Sequence, residues 1–258
     1  MRVTILGCGG SGGVPLVGGH WGDCDPAEPR NRRRRVSILV EEGATRILVD
    51  TSPDLREQLL AAGVDRLTAV VYTHSHADHV HGIDDLRALN HRMKAALPAY
   101  GRPDTLAEIA RRFGYVFQPL PGANEPYIYR PALTPMPVQS PRFEIGGVPV
   151  TWFDQDHGFS GSSTGYRFAD AAYSTDVLAL SDAAFEVLQG LKLWVVDCLR
   201  WEPHPSHAHF DRVLEWVERL KPARTVLTHM NHAMDYRKAL ARCPKGMEPG
   251  YDGLVVEL

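Results

Sequence analysis

The sequence predicts an α/β fold, because segments with the two-residue period of strands alternate with segments of helical period along its 258 residues. The alternation runs through two similar halves, which suggests two sheets packed face to face with helices outside. Hydrophobic residues make up 44% of the chain, enough for a core. The length is compatible with one large domain, so we expect a single domain over residues 1–258.

The first half contains five predicted strands and three predicted helices. The hairpin turn uses Glu42 and Gly43, which supply turn chemistry between two apolar runs. The first helix places Leu55 and Leu59 on one face and ends at Gly63. The strands are predicted at 3–6, 36–40, 46–49, 67–72 and 97–100, and the helices at 53–62, 84–96 and 104–113.

The second half begins after a segment rich in proline and aromatic residues, 117–141, for which we expect irregular structure or a flap on the substrate side. Seven further strands and three helices follow from the same periodicities. The strands are predicted at 143–145, 148–153, 165–168, 171–174, 193–196, 225–227 and 254–257, and the helices at 181–189, 209–220 and 235–241.

Composition narrows the class of protein. The formal net charge of −3 does not indicate a nucleic-acid binder driven by bulk charge. The four cysteines are scattered and show no secreted disulfide framework. The start of the chain reaches glycine too soon for a signal peptide, and no apolar run approaches the roughly 20 residues that span a membrane. We therefore expect a soluble cytoplasmic protein.

The densest set of ligand-type side chains lies in the segment THSHADH, directly after an apolar run. His74 and His76 alternate along extended chain and point the same way, whereas Asp78 and His79 follow the turn and can reach a second point. Imidazole suits zinc, copper, iron or nickel, and carboxylate adds tolerance for manganese. The segment therefore predicts a metal site with two groups of ligands.

Three more ligand-type residues stand just past strand-like segments. They are His157, Asp176 and His229. Each alone is weak, since a single His or Asp after a strand is usually a cap or a surface residue. Together and in this order they are a strong signal, because loops at strand ends carry function on a rigid scaffold.

With these residues the chain resembles the metallo-β-lactamase superfamily over nearly its whole length. Within it, the closest likeness is to the phosphodiesterase branch, in particular to the phosphoribosyl cyclic phosphate phosphodiesterases of the bacterial carbon–phosphorus lyase pathway. The resemblance implies a four-layer αββα sandwich of two mixed β-sheets flanked by helices. The segments that carry it are GCGGSGGVP at 7–15, the His74 motif, VVDC at 195–198 and LTHMNH at 227–232.

The resemblance also implies a set of metal ligands. His74, His76 and His157 would hold one divalent ion, Asp78, His79 and His229 the other, and Asp176 would bridge them. Zinc and manganese are the expected ions. A carboxylate bridge lets two cations approach to about 3.5–4 Å, and the pair then activates a shared water as hydroxide and offsets charge on phosphoryl oxygens.

A leaving alkoxide also needs a proton, and three histidines crowd the segment before the last ligand: His204, His207 and His209. The resemblance selects His207, because a histidine upstream of the last metal ligand supports phosphodiester cleavage in these relatives. Asp197 would orient it or the metal ligands. His207 and Asp78, which is also a ligand, are therefore the residues that we assign to catalysis.

Two N-terminal features leave alternatives open. The arginine run 32–35 with Arg30 is a solvated surface or a phosphate contact. The phosphonate-pathway enzymes hold a structural zinc with three cysteines and a histidine; here only Cys24 is present in that region, so a site of His20, Cys24 and His232 is the remaining version. The glycine loop lacks the lysine of a nucleotide phosphate loop.

The expected function is hydrolysis of a small cyclic or nucleotide-like phosphodiester, with a nucleoside monophosphate as product ligand. Neither a membrane nor a long nucleic acid is an expected partner, and a homodimer is compatible with the sequence. A tRNA 3′-processing endonuclease is one alternative, but its long arm would have to fit in the 19 positions from His157 to Asp176. Thioester or lactam hydrolysis uses much the same metal site. The non-enzyme alternative is a metal-binding relative without turnover.

Overall fold

The computed structural model describes residues 1–118 and 130–258. Within these ranges the chain forms strands β1 to β14 in two sheets. The strands are β1 (Arg2–Gly7), β2 (Ser37–Glu42), β3 (Thr45–Val49), β4 (Ala69–Val71), β5 (Leu97–Gly101), β6 (Leu133–Pro137), β7 (Arg142–Ile145), β8 (Val148–Asp156), β9 (Ser162–Phe168), β10 (Ala171–Ser174), β11 (Leu193–Asp197), β12 (Arg224–Thr228), β13 (Met247–Pro249) and β14 (Val255–Glu257).

Helices flank the two sheets. They are α1 (Leu55–Ala61), α2 (Ala77–Val80), α3 (Arg87–Met93), α4 (Pro103–Phe113), α5 (Asp182–Val187), α6 (Phe210–Leu220) and α7 (Tyr236–Arg242). The single helix predicted over 84–96 is instead a 3₁₀ turn, Ile83–Leu86, followed by α3, which ends at Lys94 in a left-handed conformation (φ 53°). None of the helices in the described ranges is long and apolar enough to cross a membrane.

Each sheet has seven strands, in the orders β14-β1-β2-β3-β4-β5-β6 and β13-β12-β11-β10-β9-β8-β7. Both sheets are mixed. The first joins an antiparallel β1–β2–β3 meander to the parallel strands β3 to β6, and the second joins antiparallel β7 to β10 to the parallel strands β10 to β13. The predicted α/β class and four-layer sandwich are confirmed.

Burial on both faces of the first sheet explains why its strands read as continuous apolar runs. In β3, Ile47 and Val49 belong to the core between the sheets, whereas Leu48 belongs to a second core beneath the outer helices. Ile38 and Leu39 of β2 divide in the same way. Strands covered on both faces lose the polar alternation of half-exposed ones. Truncating one of these side chains to alanine would cost about 2–5 kcal/mol.

Strand direction brings the predicted ligand stations to one edge of the sandwich. β1 and β3 both run antiparallel to β2, and β3 is parallel to β4, so the C-terminal ends of β1, β3 and β4 meet at one edge. In the second sheet β8 and β10 both run antiparallel to β9, and β10 is parallel to β11 and β12. The ends of β8, β10 and β12 therefore also share an edge.

The segment 117–141 is only partly described, since residues 119–129 lie outside the described ranges. Its later part is not irregular as expected, because residues Leu133–Pro137 pair with β5 as the edge strand β6. The short strand β13, at the edge of the other sheet, was also missed.

Candidate metal centre

Seven side chains from both sheets converge at the shared strand ends. His74 and His76 lie in the loop after β4, and Asp78 and His79 lie in α2. The remaining three follow strands of the second sheet: His157 after β8, Asp176 after β10 and His229 after β12. The structure thus brings together all seven residues that the sequence predicted as ligands of the two-metal site.

The backbone is strained at two of these strand ends and at the end of β3. Asp50, Asp176 and His229 have φ angles of 63°, 53° and 56°, although none is glycine. Such conformations cost about 1–3 kcal/mol each and persist where the surroundings hold them, often at functional sites. The strain turns the Asp176 and His229 side chains toward the cluster immediately after their strands end.

The first group consists of His74, His76, His157 and Asp176, whose ligand atoms all lie within 4.8 Å of one another. The His74 Nε2 atom lies 3.0 Å from His76 Nδ1, and Asp176 Oδ1 lies 3.6 Å from His157 Nε2. Two ligands about 2.1 Å from a tetrahedral zinc ion are themselves about 3.4 Å apart. These spacings fit one cation.

The second group consists of Asp78, His79, Asp176 and His229. The His79 Nε2 atom lies 3.0 Å from Asp176 Oδ2 and 3.4 Å from Asp78 Oδ2. The His229 Nε2 atom lies 3.5 Å from Asp78 Oδ2 and 3.5 Å from Asp176 Oδ1. Asp176 belongs to both groups, which is the position that a bridging carboxylate requires.

Hydrogen bonds to the far ring nitrogens orient these histidines. The His79 Nδ1 atom lies 2.7 Å from Asp50 Oδ2, and Asp50 also accepts from the Thr73 backbone N–H at 2.8 Å. The His157 Nδ1 atom donates to the Ser206 carbonyl at 2.7 Å. A carboxylate or carbonyl on the far nitrogen fixes the ring and its tautomer and aims Nε2 at a metal.

The charges differ between the two groups. Burial and the neighbouring His79 lower the pKa of His74, and burial also lowers the pKa values of His76 and His157, so these rings are neutral and offer lone pairs. At His229 burial opposes the charge, but Asp176 and Asp78 outweigh it and raise the pKa to about 9.

The pKa values of Asp78 and His79 in the second group also depend on burial and on neighbouring charges, which act in opposite directions. Burial opposes ionisation of Asp78, but His79 and His229 outweigh it and hold its pKa below the ordinary range. The pKa of His79 is raised despite burial, by Asp176, Asp78 and Asp50. A cation entering this group therefore displaces protons from two histidines, and its affinity rises with pH.

The donor set passes a direct test of fit to a metal. The His79 Nε2 atom is buried and has no hydrogen-bond partner among the described atoms, although Asp176 Oδ2 lies 3.0 Å away. A buried polar atom without a partner costs about 1–3 kcal/mol. A cation at this point would satisfy it, and mixed imidazole and carboxylate ligands suit zinc or manganese.

His207 lies beside both groups. Its Nδ1 atom lies 2.8 Å from Asp197 Oδ2, and its Nε2 atom lies 4.0 Å from Asp176 Oδ1. Its ring stacks on that of His229 at 4.7 Å between centroids. Asp197 also accepts from the Val177 backbone N–H at 3.0 Å, which fixes the carboxylate. The His207 Nε2 atom consequently faces the space in front of Asp176.

The other two candidate acids are placed differently. The Nδ1 atom of His204 lies 3.2 Å from the Ser206 hydroxyl, and its ring is 5.2 Å from that of His207. His209 precedes α6 at the N-cap position without capping it through its side chain. Neither belongs to a described cluster of three metal-ligating groups.

The structure does not bring together the three residues predicted for a separate structural metal site, His20, Cys24 and His232. The rings of His20 and His232 meet edge to face at 5.1 Å. The Cys24 sulfur, however, lies 3.9 Å from Arg33 Nη1, and burial raises the pKa of its thiol. No cluster of three ligand atoms within 4.8 Å, among the residues that the structure describes, contains these three side chains.

Asp50 and Ser206 are the site residues that the sequence did not reveal. Asp50 follows the apolar strand β3, so it carried the same signal as Asp176, a carboxylate at a strand end. Ser206 contributes only its carbonyl oxygen, which no side-chain pattern could indicate.

Comparisons with known proteins place this fold and site in a family. A family model described as the beta-lactamase superfamily domain matches residues 45–230. The crystal structure of a new diphosphatase from the PhnP family superposes with a TM-score of 0.89, at 33% identity over 100% of this chain and 97% of that one.

The names of the curated relatives point to different activities. An octanoyltransferase of Porphyromonas gingivalis is 34% identical over 98% of this chain but 51% of its own length, so this chain spans about half of that relative. A ribonuclease Z of Bradyrhizobium is 37% identical over 87 residues, 32% of this chain and 29% of that protein.

The chain therefore belongs to the metallo-β-lactamase superfamily, as the sequence predicted. Its family membership and its histidine and aspartate clusters support a metal-dependent hydrolase that binds divalent cations. Within the superfamily the chain is PhnP-like.

Proposed function

We propose that the protein is a phosphodiesterase that hydrolyses small cyclic or nucleotide-like phosphodiesters. The observation that carries the proposal is the position of His207. Its Nδ1 atom is paired with Asp197, and its Nε2 atom lies 4.0 Å from Oδ1 of Asp176, the proposed bridging ligand. A site that only activates water needs no such group. A phosphodiester with an alkoxide leaving group needs a proton donor on the side opposite to the attack.

The ligands proposed are those of the two groups: His74, His76 and His157 for one cation, Asp78, His79 and His229 for the other, and Asp176 for both. When bound, two divalent cations would generate the nucleophile at neutral pH and neutralise charge on the phosphoryl oxygens. Asp78 would align the nucleophile as well as ligate.

His207 would hold and then deliver the proton. With Nδ1–H donated to Asp197, the proton to be transferred would be carried by Nε2, the atom that faces the site. The buried Asp197 carboxylate stabilises the doubly protonated ring and prevents it from rotating. The proton then passes from Nε2 to the departing oxygen.

The segment between His157 and Asp176 supports a small substrate. It consists of a 3₁₀ turn (Gly158–Ser160) and the strands β9 and β10, which lie in the second sheet. No residues remain there for an arm that could grip a tRNA. The names of two relatives, a diphosphatase and a ribonuclease Z, agree with chemistry at phosphorus.

Acyl chemistry is the competing proposal, suggested by the octanoyltransferase, of which the chain spans only half. The cysteines do not support a thiolate nucleophile. Burial raises the pKa of the Cys8, Cys24 and Cys198 thiols, and it raises that of Cys243 to about 12. Reactive cysteines need the opposite shift.

The test is a substrate panel on purified protein of measured metal content. It comprises bis(p-nitrophenyl) phosphate, cyclic nucleotides, p-nitrophenyl phosphate, an acyl thioester and a lactam. We expect the diesters to react fastest, the monoester weakly, and a nucleoside monophosphate to inhibit as product. Cleavage of the thioester or lactam far faster than of any diester would refute the proposed reaction class. A protein that binds its full complement of metal but hydrolyses none of the substrates would support the non-enzyme alternative.

A further inference from the structure

The ring of His76 lacks the support that the other two histidines of the first group receive. The Nδ1 atom of His74 lies 3.0 Å from the Thr73 hydroxyl, and that of His157 lies 2.7 Å from the Ser206 carbonyl. The Nδ1 atom of His76 faces the cluster, 3.0 Å from His74 Nε2, and none of the described residues forms a hydrogen bond with its far nitrogen, Nε2. The position of this ring therefore depends on the backbone that carries it.

The backbone is held on both sides of His76. The His79 N–H donates to the His76 carbonyl at 3.1 Å, at the start of α2. On the other side, the Ser75 carbonyl accepts a hydrogen bond from Arg112 Nη1 at 2.6 Å. Because a peptide unit is planar, a bond that fixes the Ser75 carbonyl also restrains the N–Cα bond of His76.

Arg112 comes from a distant element that supplies no metal ligand. It lies near the C-terminal end of α4, and its Nε and Nη2 atoms lie 2.7 Å and 2.6 Å from Glu108 Oε1, one turn earlier. Glu108 thus orients the guanidinium toward the Ser75 carbonyl. A planar guanidinium that is already held on one edge loses little further rotamer freedom when it binds a second partner.

The neighbouring Arg111 provides a comparison within the same helix. It also pairs with Glu108, through Nε and Nη2 at 2.8 Å each. Its side chain is 70% exposed, and no hydrogen bond joins it to Ser75 or to another described residue of the ligand loop. The two arginines therefore share one carboxylate and differ in the contact with the loop.

We propose that Arg112 is a positioning residue that holds the Ser75–His76 peptide, and through it the His76 ring, in place for the first divalent cation. The proposal rests on the ligands assigned to the two groups, but it does not depend on which ester the protein hydrolyses. It makes the affinity of the first group for metal depend on α4.

The test is a titration of purified protein with zinc in competition with a chromophoric chelator. Arg112→Gln should weaken the binding of one of the two zinc ions about 10–100-fold, the size of effect found when a partner that orients a ligand is lost. Arg112→Lys should lose less, because its ammonium group retains a hydrogen-bond donor. Arg111→Gln is the matched control and should leave both affinities unchanged.

The sign of the effect separates positioning from electrostatics. Removing a positive charge close to a cation site strengthens cation binding by Coulomb's law, so a merely electrostatic role for Arg112 would raise the affinity. Urea unfolding of the metal-free variants shows whether each is folded before the titration. An unchanged or raised zinc affinity in Arg112→Gln, or an equal loss in Arg111→Gln, would overturn the proposal.

A double-mutant cycle with His76→Ala tests whether Arg112 acts through His76. If it does, Arg112→Gln/His76→Ala should bind zinc no more weakly than His76→Ala alone, whereas effects that multiply would show that Arg112 acts on another part of the site. Because no substrate is present, these titrations stand apart from the proposed function. A positive cycle in a protein that cleaves no phosphodiester would leave the role of Arg112 intact and reject only the proposed reaction.

Discussion

Replacing His207 with alanine tests the proposed acid directly, because the change removes one imidazole and leaves every proposed metal ligand in place. In this variant the buried Asp197 carboxylate still accepts a hydrogen bond from the Val177 N–H, which lies 3.0 Å away. We therefore expect a folded protein with an unchanged metal content.

The expected loss depends on the leaving group. General acid catalysis contributes about 10²–10⁴-fold, or about 3–5 kcal/mol of barrier. That loss should appear in kcat for a cyclic nucleotide, whose leaving oxygen is an alkoxide. A p-nitrophenyl diester leaves as a stabilised phenolate, so it should lose less than about tenfold by the same reasoning.

The pH profile and two variants separate a proton donor from a binding group. If His207 supplies the proton, kcat for the cyclic substrate should fall at high pH in wild type, and this fall should disappear in His207→Ala. Asp197→Asn should give an intermediate loss by favouring the wrong tautomer. His209→Ala, two positions further on and outside the clusters, should behave as wild type. Equal losses on good and poor leaving groups would refute the acid role.

Four of the seven proposed ligands could be predicted from the sequence because their signal is local. His74, His76, Asp78 and His79 are separated by one or two positions, and a short motif keeps its geometry wherever the chain folds. Asp50 also follows a strand, but its role could not be predicted, because it depends on a contact between distant segments. Its contact with His79 exists because β3 lies parallel to β4, a pairing between segments about twenty residues apart.

The missed strands both lie at sheet edges. β6 contains Pro135 and Pro137, and proline argues against a strand unless one side of it needs no ladder hydrogen bond. At the end of the first sheet β6 pairs only with β5, so the prolines are tolerated. β13 has three residues and is defined only by its pairing with β12. Neither situation can be recognised before the sheets are assembled.

The arginine run 32–35 contains both exposed and buried side chains, which the sequence pattern alone does not distinguish. A sequence of four arginines predicts a solvated face, and Arg32 is exposed, but Arg33 is 2% exposed. Val14 pairs with Arg33 in an isolated bridge, and this pairing turns the Arg33 side chain inward toward the Met234 carbonyl. Alternation along extended chain, once a partner exists, decides which arginines remain available to a ligand.

Three further predictions test the metal centre and the buried carboxyl of Asp252. Asp176→Ala should lose at least one ion by elemental analysis, and retention of two ions would reject the bridging role. Asp50→Asn should weaken metal binding about 10–100-fold in a chelator competition, because it removes the carboxylate that aims His79; unchanged affinity would leave Asp50 a purely structural residue. Burial raises the pKa of Asp252 to about 6. A carboxyl with a higher pKa in the folded chain than in the unfolded one favours folding at low pH, so its contribution is full below about pH 4 and lost as the pH rises through 6. In urea unfolding, the free energy of wild type relative to Asp252→Asn should therefore fall by at most about 3 kcal/mol between pH 4 and 7. A difference that stays constant across that range would show that the Asp252 carboxyl is not held in an environment that disfavours its charge.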